Sequence, residues 1–227
     1  MNLWVEVLLL FGILVVNRLT FIYVFNRRLH LSFSKNPTLT FLYFIFMGFA
    51  VAALFWSYTK ELLFPHSILS VFVCLVVLTV VNPWIYDRLQ ALNKEPDHLA
   101  KANPDQQFLL IEDKYLLSKT GDVLFQQLVA GILILLMSKA GVPFDTLVPV
   151  FAGVFFLSHI HMFLSTRVIW ALYFSLFAAL GGFVLPFLLL NVEGGIYYAI
   201  AIHMLWYVGS GAFFGFLEND AGLRRGK

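Results

Sequence analysis

The chain has 227 residues, of which 60% are hydrophobic and only 12% are charged, and its net charge is +2. A water-soluble domain of this length needs more charged residues to cover its surface, so the composition predicts an integral membrane protein whose main surroundings are the lipid bilayer. The small net charge, without a basic patch carrying interleaved aromatic residues, argues against nucleic acid as a partner.

Seven apolar segments follow one another along the chain, each near the roughly 20 residues that span a hydrocarbon core. Because a backbone in lipid has to satisfy its own hydrogen bonds, we expect every segment to be an α-helix. The first has no basic region before it and no small-residue cleavage site after it, which predicts a retained helix rather than a signal peptide. The predicted fold class is all-α, a polytopic transmembrane helix bundle with spans at 3–25, 39–58, 67–86, 121–138, 144–163, 168–190 and 196–217.

Lys and Arg are distributed unevenly between the two sides of this bundle. With seven spans and the N-terminus outside, the outer loops carry only Lys60 and Lys139. This positive-inside bias predicts a multi-pass protein of the cell membrane with a cytoplasmic C-terminus. The twelve basic residues of the cytoplasmic side are Arg27, Arg28, Lys35, Arg88, Lys94, Lys101, Lys114, Lys119, Arg167, Arg224, Arg225 and Lys227.

A long hydrophilic stretch, residues 88–119, divides the chain into two halves. It carries turn signals near Pro96 and Pro104 and then an apolar cluster that favours an amphipathic helix on the inner membrane surface, with a solvated connector as the alternative. We expect residues 1–87 to form accessory transmembrane helices, residues 120–217 to form a four-helix core with a polar site, and residues 218–227 to form a basic cytoplasmic tail.

Ionisable side chains lie within the apolar segments of this core, at Asp122, His159, His161 and His203. Such residues are costly inside a bilayer and by default indicate function. A carboxylate near two histidines can activate water, as a general base or as part of a metal site. His159 and His161 stand about 200° apart around a helix, so only one of them faces the site. Tyr207 follows His203 by one turn, on the same face.

Each of these residues also has a structural alternative. A histidine in a membrane helix can bond to a neighbouring helix, which is the role that we expect for His161. Asp122 lies in a first helical turn, where the helix dipole stabilises a carboxylate without any catalytic purpose. The histidines lack a clear ligand spacing, so no cofactor is predicted, and a divalent metal in a metal-binding or transporter-like bundle stays an alternative.

The depths of these residues differ if the helices are straight. His203 lies about 10 Å below the outer surface by its count from the end of its span, whereas Asp122 and His159 lie near the inner leaflet. A shared site therefore requires a tilted helix, a kink, or a dip of residues 193–195 into the membrane.

At these positions the C-terminal half, residues 112–217, resembles the CPBP family of intramembrane proteases (CAAX-processing and bacteriocin-processing, also called Abi). The family pattern is Glu-Glu-x-x-x-Arg, then Phe-x-x-x-His, then His-x-x-x-Asn or Asp. Phe155 to His159 matches the second part, and His203 matches the histidine of the third. The resemblance implies that the glutamate and the first histidine activate water, while the second histidine and its neighbour stabilise the oxyanion.

The first motif and the last position depart from the family pattern. Residues 121–127 align with Glu-Glu-x-x-Phe-Arg-Gly, which puts Gly121 at the water-activating glutamate, Asp122 at the second glutamate and Gln126 at the arginine. Tyr207 takes the place of the Asn or Asp, where its hydroxyl is able to donate a hydrogen bond to an oxyanion.

Two hypotheses follow from this resemblance. The first is a divergent, catalytically inactive protein that binds a membrane-associated peptide or a partner membrane protein. The second is an active CAAX-type endopeptidase that works near the cytoplasmic leaflet, with catalytic candidates His159, His203, Asp122 and Tyr207. The other acidic pair nearby, Glu112 and Asp113, lies about ten residues upstream of the first motif, in polar sequence.

Overall fold

The computed structural model describes residues 3–30, 36–64, 67–92, 113–159, 163 and 168–225, and within these ranges it contains helices and no strands. The all-α class is thereby confirmed. The N-terminal half consists of α1 (Leu3–Leu19) with a π-helical continuation (Thr20–Arg28), α2 (Pro37–Leu54), α3 (Trp56–Leu63), and α4 (Ile68–Val76), which runs through a second π-helical segment (Val77–Val81) into α5 (Asn82–Leu92). The C-terminal half consists of α6 (Asp113–Lys139), α7 (Phe144–Ser158), α8 (Val168–Asn191) and α9 (Gly195–Arg225).

Within the described ranges, four helical stretches are long and apolar enough to cross a membrane: Pro37–Leu54, Ile68–Ile85, Leu116–Lys139 and Ala171–Asn191. They correspond to the second, third, fourth and sixth predicted spans. The first and fifth predicted spans contain shorter apolar helices, Leu3–Asn17 and Phe144–Leu157. Large apolar side chains such as Phe49 and Ile68 stand exposed on the outside of the bundle, as expected for a surface that meets lipid.

Helix α6 is the central helix of the bundle. The candidate span that it contains is 67% buried inside the protein, whereas the other three candidate spans are 17%, 22% and 33% buried. On one side its residues Ile132 and Leu136 pack with Leu10 of α1 and Phe44 of α2. On another side Ile134 packs with the cores of α7 and α8. The polar residues Ser118, Asp122 and Gln127 of α6 are buried, and they therefore lie at helix interfaces rather than facing lipid.

Close backbone approach holds α8 against α7. A Cβ atom added at Gly182 of α8 would lie 2.6 Å from the Ala152 Cα atom of α7, so only glycine fits at this crossing. Small residues at helix crossings are a main source of stability in lipid, where apolar contacts with neighbouring helices replace equally apolar contacts with acyl chains.

Two predicted boundaries lie elsewhere than expected. Helix α6 begins at Asp113, so residues 113–119, which were assigned to the hydrophilic connector, form its first turns. Helix α7 ends at Ser158, and His159 follows as its C-cap residue. The remainder of the predicted amphipathic helix, with Glu112, falls in residues 93–112 and lies outside the described residues, as does His161.

Candidate functional site

Asp122 of α6 is buried, and both of its carboxylate oxygens accept a hydrogen bond from the same helix. The Lys119 Nζ atom donates to Oδ2 at 2.6 Å, and the Gln126 Nε2 atom donates to Oδ1 at 2.7 Å. The side chains of Asp122 and Lys119 are only 7% and 18% exposed, so this ion pair is shielded from water. Charge-assisted hydrogen bonds of this kind are strong, and they fix the carboxylate in place.

Lys119 links this carboxylate to α9. Its ammonium group lies 5.4 Å from the centre of the Tyr207 ring, within the range of a cation–π interaction. Tyr207 is buried and packs with Val208, Ile85 and Leu116. The predicted site residue Tyr207 therefore faces α6, and it meets Asp122 through Lys119.

His203 of α9 is joined to α6 by a glutamine that was not among the predicted site residues. The His203 Nδ1 atom lies 2.7 Å from the Gln127 Nε2 atom. With the amide nitrogen as donor, Nδ1 is the acceptor and the proton of the neutral imidazole is on Nε2; this amide orientation is an assignment based on the hydrogen-bond network. A glutamine inside an apolar helix was the signal in the sequence, because such a side chain needs a partner on another helix.

The packing of α9 against α6 explains how His203 meets Gln127. A Cβ atom added at Gly131 of α6 would lie 3.5 Å from the Ile196 Cδ1 atom, so α9 starts level with Gly131. Helix α6 continues for eight more residues to Lys139, which is about 12 Å along its axis. The start of α9 is therefore offset by this distance from the C-terminal end of α6.

His159 stands at the C-terminal end of α7. Its Nδ1 atom lies 2.9 Å from the Phe155 carbonyl oxygen of the preceding turn. A carbonyl oxygen can only accept, so Nδ1 carries the proton and the basic lone pair of the neutral ring is on Nε2. This is the tautomer in which a histidine can take a proton through Nε2.

His203 lies within electrostatic range of three other polar side chains. The ring of His203 interacts electrostatically with Lys119, Asp122 and His159. These side chains belong to α6 and to the end of α7, and with α9 they define the region around His203. Trp206 of α9 packs against α8, where its ring stacks on the ring of Tyr173 at a centroid distance of 6.2 Å.

Gly121 faces a different helix. A Cβ atom at this position would lie 2.9 Å from Cδ2, 3.1 Å from the carbonyl oxygen and 3.2 Å from Cα of Phe41 in α2. Position 121 is about 100° around α6 from Asp122 and about 120° from Gln127, and it faces α2. A larger side chain here has to displace the backbone of α2, so the position aligned with the family's glutamate has no room for one.

Several buried polar atoms of the described residues have no hydrogen-bond partner there. Three of them lie on helices that build this region: Gln127 Oε1 on α6, Trp206 Nε1 on α9 and Ser175 Oγ on α8. A fourth side chain, Asn82 of α5, has neither of its amide atoms paired. Most buried polar groups in proteins are satisfied, so such a concentration indicates groups that hydrogen-bond to something else.

The described residues contain no group of three or more His, Cys, Asp or Glu side chains placed to hold a metal ion. What the site offers is hydrogen bonding: one imidazole with Nε2–H, another with a basic Nε2, a lysine and several amides, all within an apolar bundle. The chain matches no family model, no curated protein and no solved structure in the comparisons made.

Proposed function

We propose that the chain is a divergent membrane protein of the CPBP type that binds a membrane-associated peptide or a partner membrane protein without hydrolysing it. The observation that carries this proposal is the engagement of Asp122, whose two oxygens bond to Lys119 and Gln126 of its own helix. A general base has to face the proton that it removes, and Asp122 stands about 140° around α6 from Gln127, the residue that meets His203. Position 121, where the family has its water-activating glutamate, lies so close to Phe41 of α2 that a glutamate side chain does not fit there.

The polar groups around His203 suit a peptide as the bound partner. A peptide segment that enters the membrane brings its own N–H and C=O groups, each of which has to be paired there. The His203 Nε2–H group supplies a donor for such groups, and the side-chain oxygen Oε1 of Gln127 supplies an acceptor. The surrounding apolar helices supply the contacts for apolar side chains or for a lipid anchor on the peptide.

Binding and cleavage are tested together on the purified protein in lipid nanodiscs. The probe is a fluorescent peptide that ends in a farnesylated cysteine followed by three aliphatic residues. We expect saturable binding with an intact peptide by mass spectrometry, and binding weakened by about tenfold in His203→Ala, which corresponds to one lost hydrogen bond of roughly 1.4 kcal/mol. Ile202→Ala, on the exposed face of the same helix, is the matched control. Rapid wild-type cleavage, or no binding at all, contradicts the proposal.

A second candidate function is an active CAAX-type endopeptidase. It is favoured by the basic Nε2 of His159 and by the position of His159 and Asp122 within electrostatic range of His203. In this mechanism His159 takes a proton from water, with Asp122 stabilising the resulting charge. The His203 Nε2–H group and the Tyr207 hydroxyl then donate to the oxyanion. His159→Ala is expected to lower cleavage by about 10²-fold or more; unchanged cleavage in this variant rejects the mechanism.

We further propose the complete topology of seven spans, with the N-terminus outside and the C-terminus in the cytoplasm. It is supported by the positive-inside bias and by α1, α7 and α9, which add three helices to the four long apolar stretches. Cys74 is the single cysteine of the chain. In a Cys74→Ala background, Lys60→Cys is expected to react from outside with a membrane-impermeant maleimide, whereas Lys94→Cys is not. The reverse pattern contradicts this orientation.

A further inference from the structure

Asn82 of α5 is the most isolated polar side chain of the described residues. It is fully buried, at 0% exposure, and neither Oδ1 nor Nδ2 has a hydrogen-bond partner there. Other buried polar side chains of the same helical stretch are satisfied locally, as Ser70 is by the Ser67 carbonyl oxygen at 2.9 Å. Burying an unpaired amide is costly, so an apolar residue is expected at such a position on stability grounds alone.

A π-helical segment turns Asn82 into the bundle. The buried positions of this stretch are Ser70, Cys74, Val77 and Asn82, with steps of four, three and five residues. In a regular α-helix, five residues turn by about 500°, which would place Asn82 about 140° away from Val77. The wider turn over Val77–Val81 brings Asn82 back to the buried side. Single π-helical turns of this kind are frequent at functional sites.

The register of this stretch along α9 puts Asn82 beside the candidate site. Leu78, one turn before Asn82, packs against the cluster that Cys74 forms with Ile196 and Ile200 of α9. Ile85, nearly one turn after Asn82, packs against Tyr207 and Val208. Asn82 thus lies between these two contacts, at the level of α9 that carries His203. The N-terminal half, predicted to be accessory, supplies this polar group to the site.

We propose that Asn82 is a ligand-binding residue that pairs with the backbone of a bound peptide. In an extended segment, the N–H and C=O groups of one residue point to the same side. The Asn82 Oδ1 atom accepts from that N–H group, and Nδ2 donates to that C=O group. This deepens the proposed function and rests on it. The ligand class is an extended peptide rather than a lipid tail, which offers no partner for either atom.

Asn82→Leu tests the assignment, because leucine is branched at Cγ like asparagine and has no polar atom. We expect a raised Tm, since two unpaired buried groups are removed, together with peptide binding weakened by about tenfold or more, as for one or two lost hydrogen bonds. Asn82→Ala removes the same atoms with less bulk and covers the case in which leucine does not fit. The control is Thr79→Val, one turn away on the exposed face, whose hydroxyl bonds to the Leu75 carbonyl oxygen. A lowered Tm with unchanged peptide affinity overturns the assignment and shows a structural role.

A second readout separates this inference from the proposed function. N-acetylglycine N′-methylamide carries the N–H and C=O groups of one extended residue and no anchor. It is titrated into wild-type protein labelled with ¹⁵N-asparagine, where the Asn82 side-chain signal is identified by its loss in Asn82→Leu. A saturable shift of this signal supports Asn82 as a peptide-binding residue even if the farnesylated peptide does not bind. An unmoved signal overturns the inference whether or not that peptide binds.

Discussion

The ion pair of Lys119 and Asp122 is the feature on which the inactive interpretation of the site depends, and Lys119→Met tests it. The substitution keeps most of the side-chain volume and removes the charge, so Asp122 stays buried and keeps the hydrogen bond from Gln126 but loses its cationic partner. Breaking a buried pair costs about 3–5 kcal/mol. The remaining bond and the 18% exposure of Lys119 place the expected loss near the lower end, about 3 kcal/mol. At about 2–4 °C per kcal/mol for a chain of this size, Tm falls by roughly 6–12 °C.

The double variant Lys119→Met with Asp122→Leu separates a structural pair from a catalytic carboxylate. Replacing both partners of a buried pair with apolar residues is often neutral, so we expect its stability to return to within about 1 kcal/mol of the wild type. Unfolding is followed by tryptophan fluorescence during titration with SDS in mixed micelles. If Lys119→Met stays within about 0.5 kcal/mol of the wild type, or the double variant is no more stable than the single one, the carboxylate is not held as described.

The pair of Lys139 and Glu61 provides the matched control. It also joins a lysine of α6 to a carboxylate, but its side chains are 44% and 46% exposed. Exposed pairs contribute about 0–1 kcal/mol. Lys139→Met is therefore expected to leave stability nearly unchanged, which makes the difference between the two lysine variants a measure of burial alone.

Two further substitutions test the packing and the hydrogen bonding of α6. Gly121→Ala is expected to destabilise the protein by about 1–3 kcal/mol because its Cβ atom meets the backbone of Phe41. The control is Gly209→Ala, which has open space around it and is expected to be neutral or to stabilise the protein by up to about 1 kcal/mol. Equal effects in SDS unfolding contradict the close contact with α2. Gln127→Leu leaves His203 Nδ1 unpaired and is expected to weaken peptide binding by about tenfold, as for one lost bond. If the affinity for the farnesylated peptide is unchanged in the nanodisc assay, Gln127 does not contribute to peptide binding.

Apolar content predicted where the chain is helical, but it did not predict where each helix ends. The fourth span was placed at 121–138, whereas α6 is 27 residues long and begins at Asp113. At 1.5 Å per residue its length is about 40 Å, more than the roughly 30 Å of a hydrocarbon core. Hydropathy marks the part of a helix that matches lipid, and polar turns such as the one with Lys119 continue beyond it. For that reason Lys119 was counted as a loop cation rather than as the partner of Asp122.

The polar partners were harder to predict than the polar residues themselves. His203 and Asp122 are visible in the sequence because ionisable side chains are rare in apolar segments. That Gln127 rather than Asp122 meets His203 depends on how far α9 is shifted along α6, which the contact of Gly131 with Ile196 fixes. Asn82 reaches the bundle interior through a π-helical turn, and Pro83, with no N–H group to donate, is the only local signal for an irregular helix there.

Contacts between the two halves of the chain combine apolar packing with polar contacts, one of which joins the C-terminal end of α3 to the N-terminal end of α9. The Tyr197 hydroxyl of α9 donates to the Leu63 carbonyl oxygen at the end of α3. In lipid, apolar contacts between helices compete with equally apolar acyl chains, so polar contacts and close packing decide which helices associate. Tyr197→Phe is therefore expected to cost about 0.5–1.5 kcal/mol in SDS unfolding, with Tyr198→Phe on the same helix as the control. If both variants match the wild type, the Tyr197 hydrogen bond does not contribute to joining the halves.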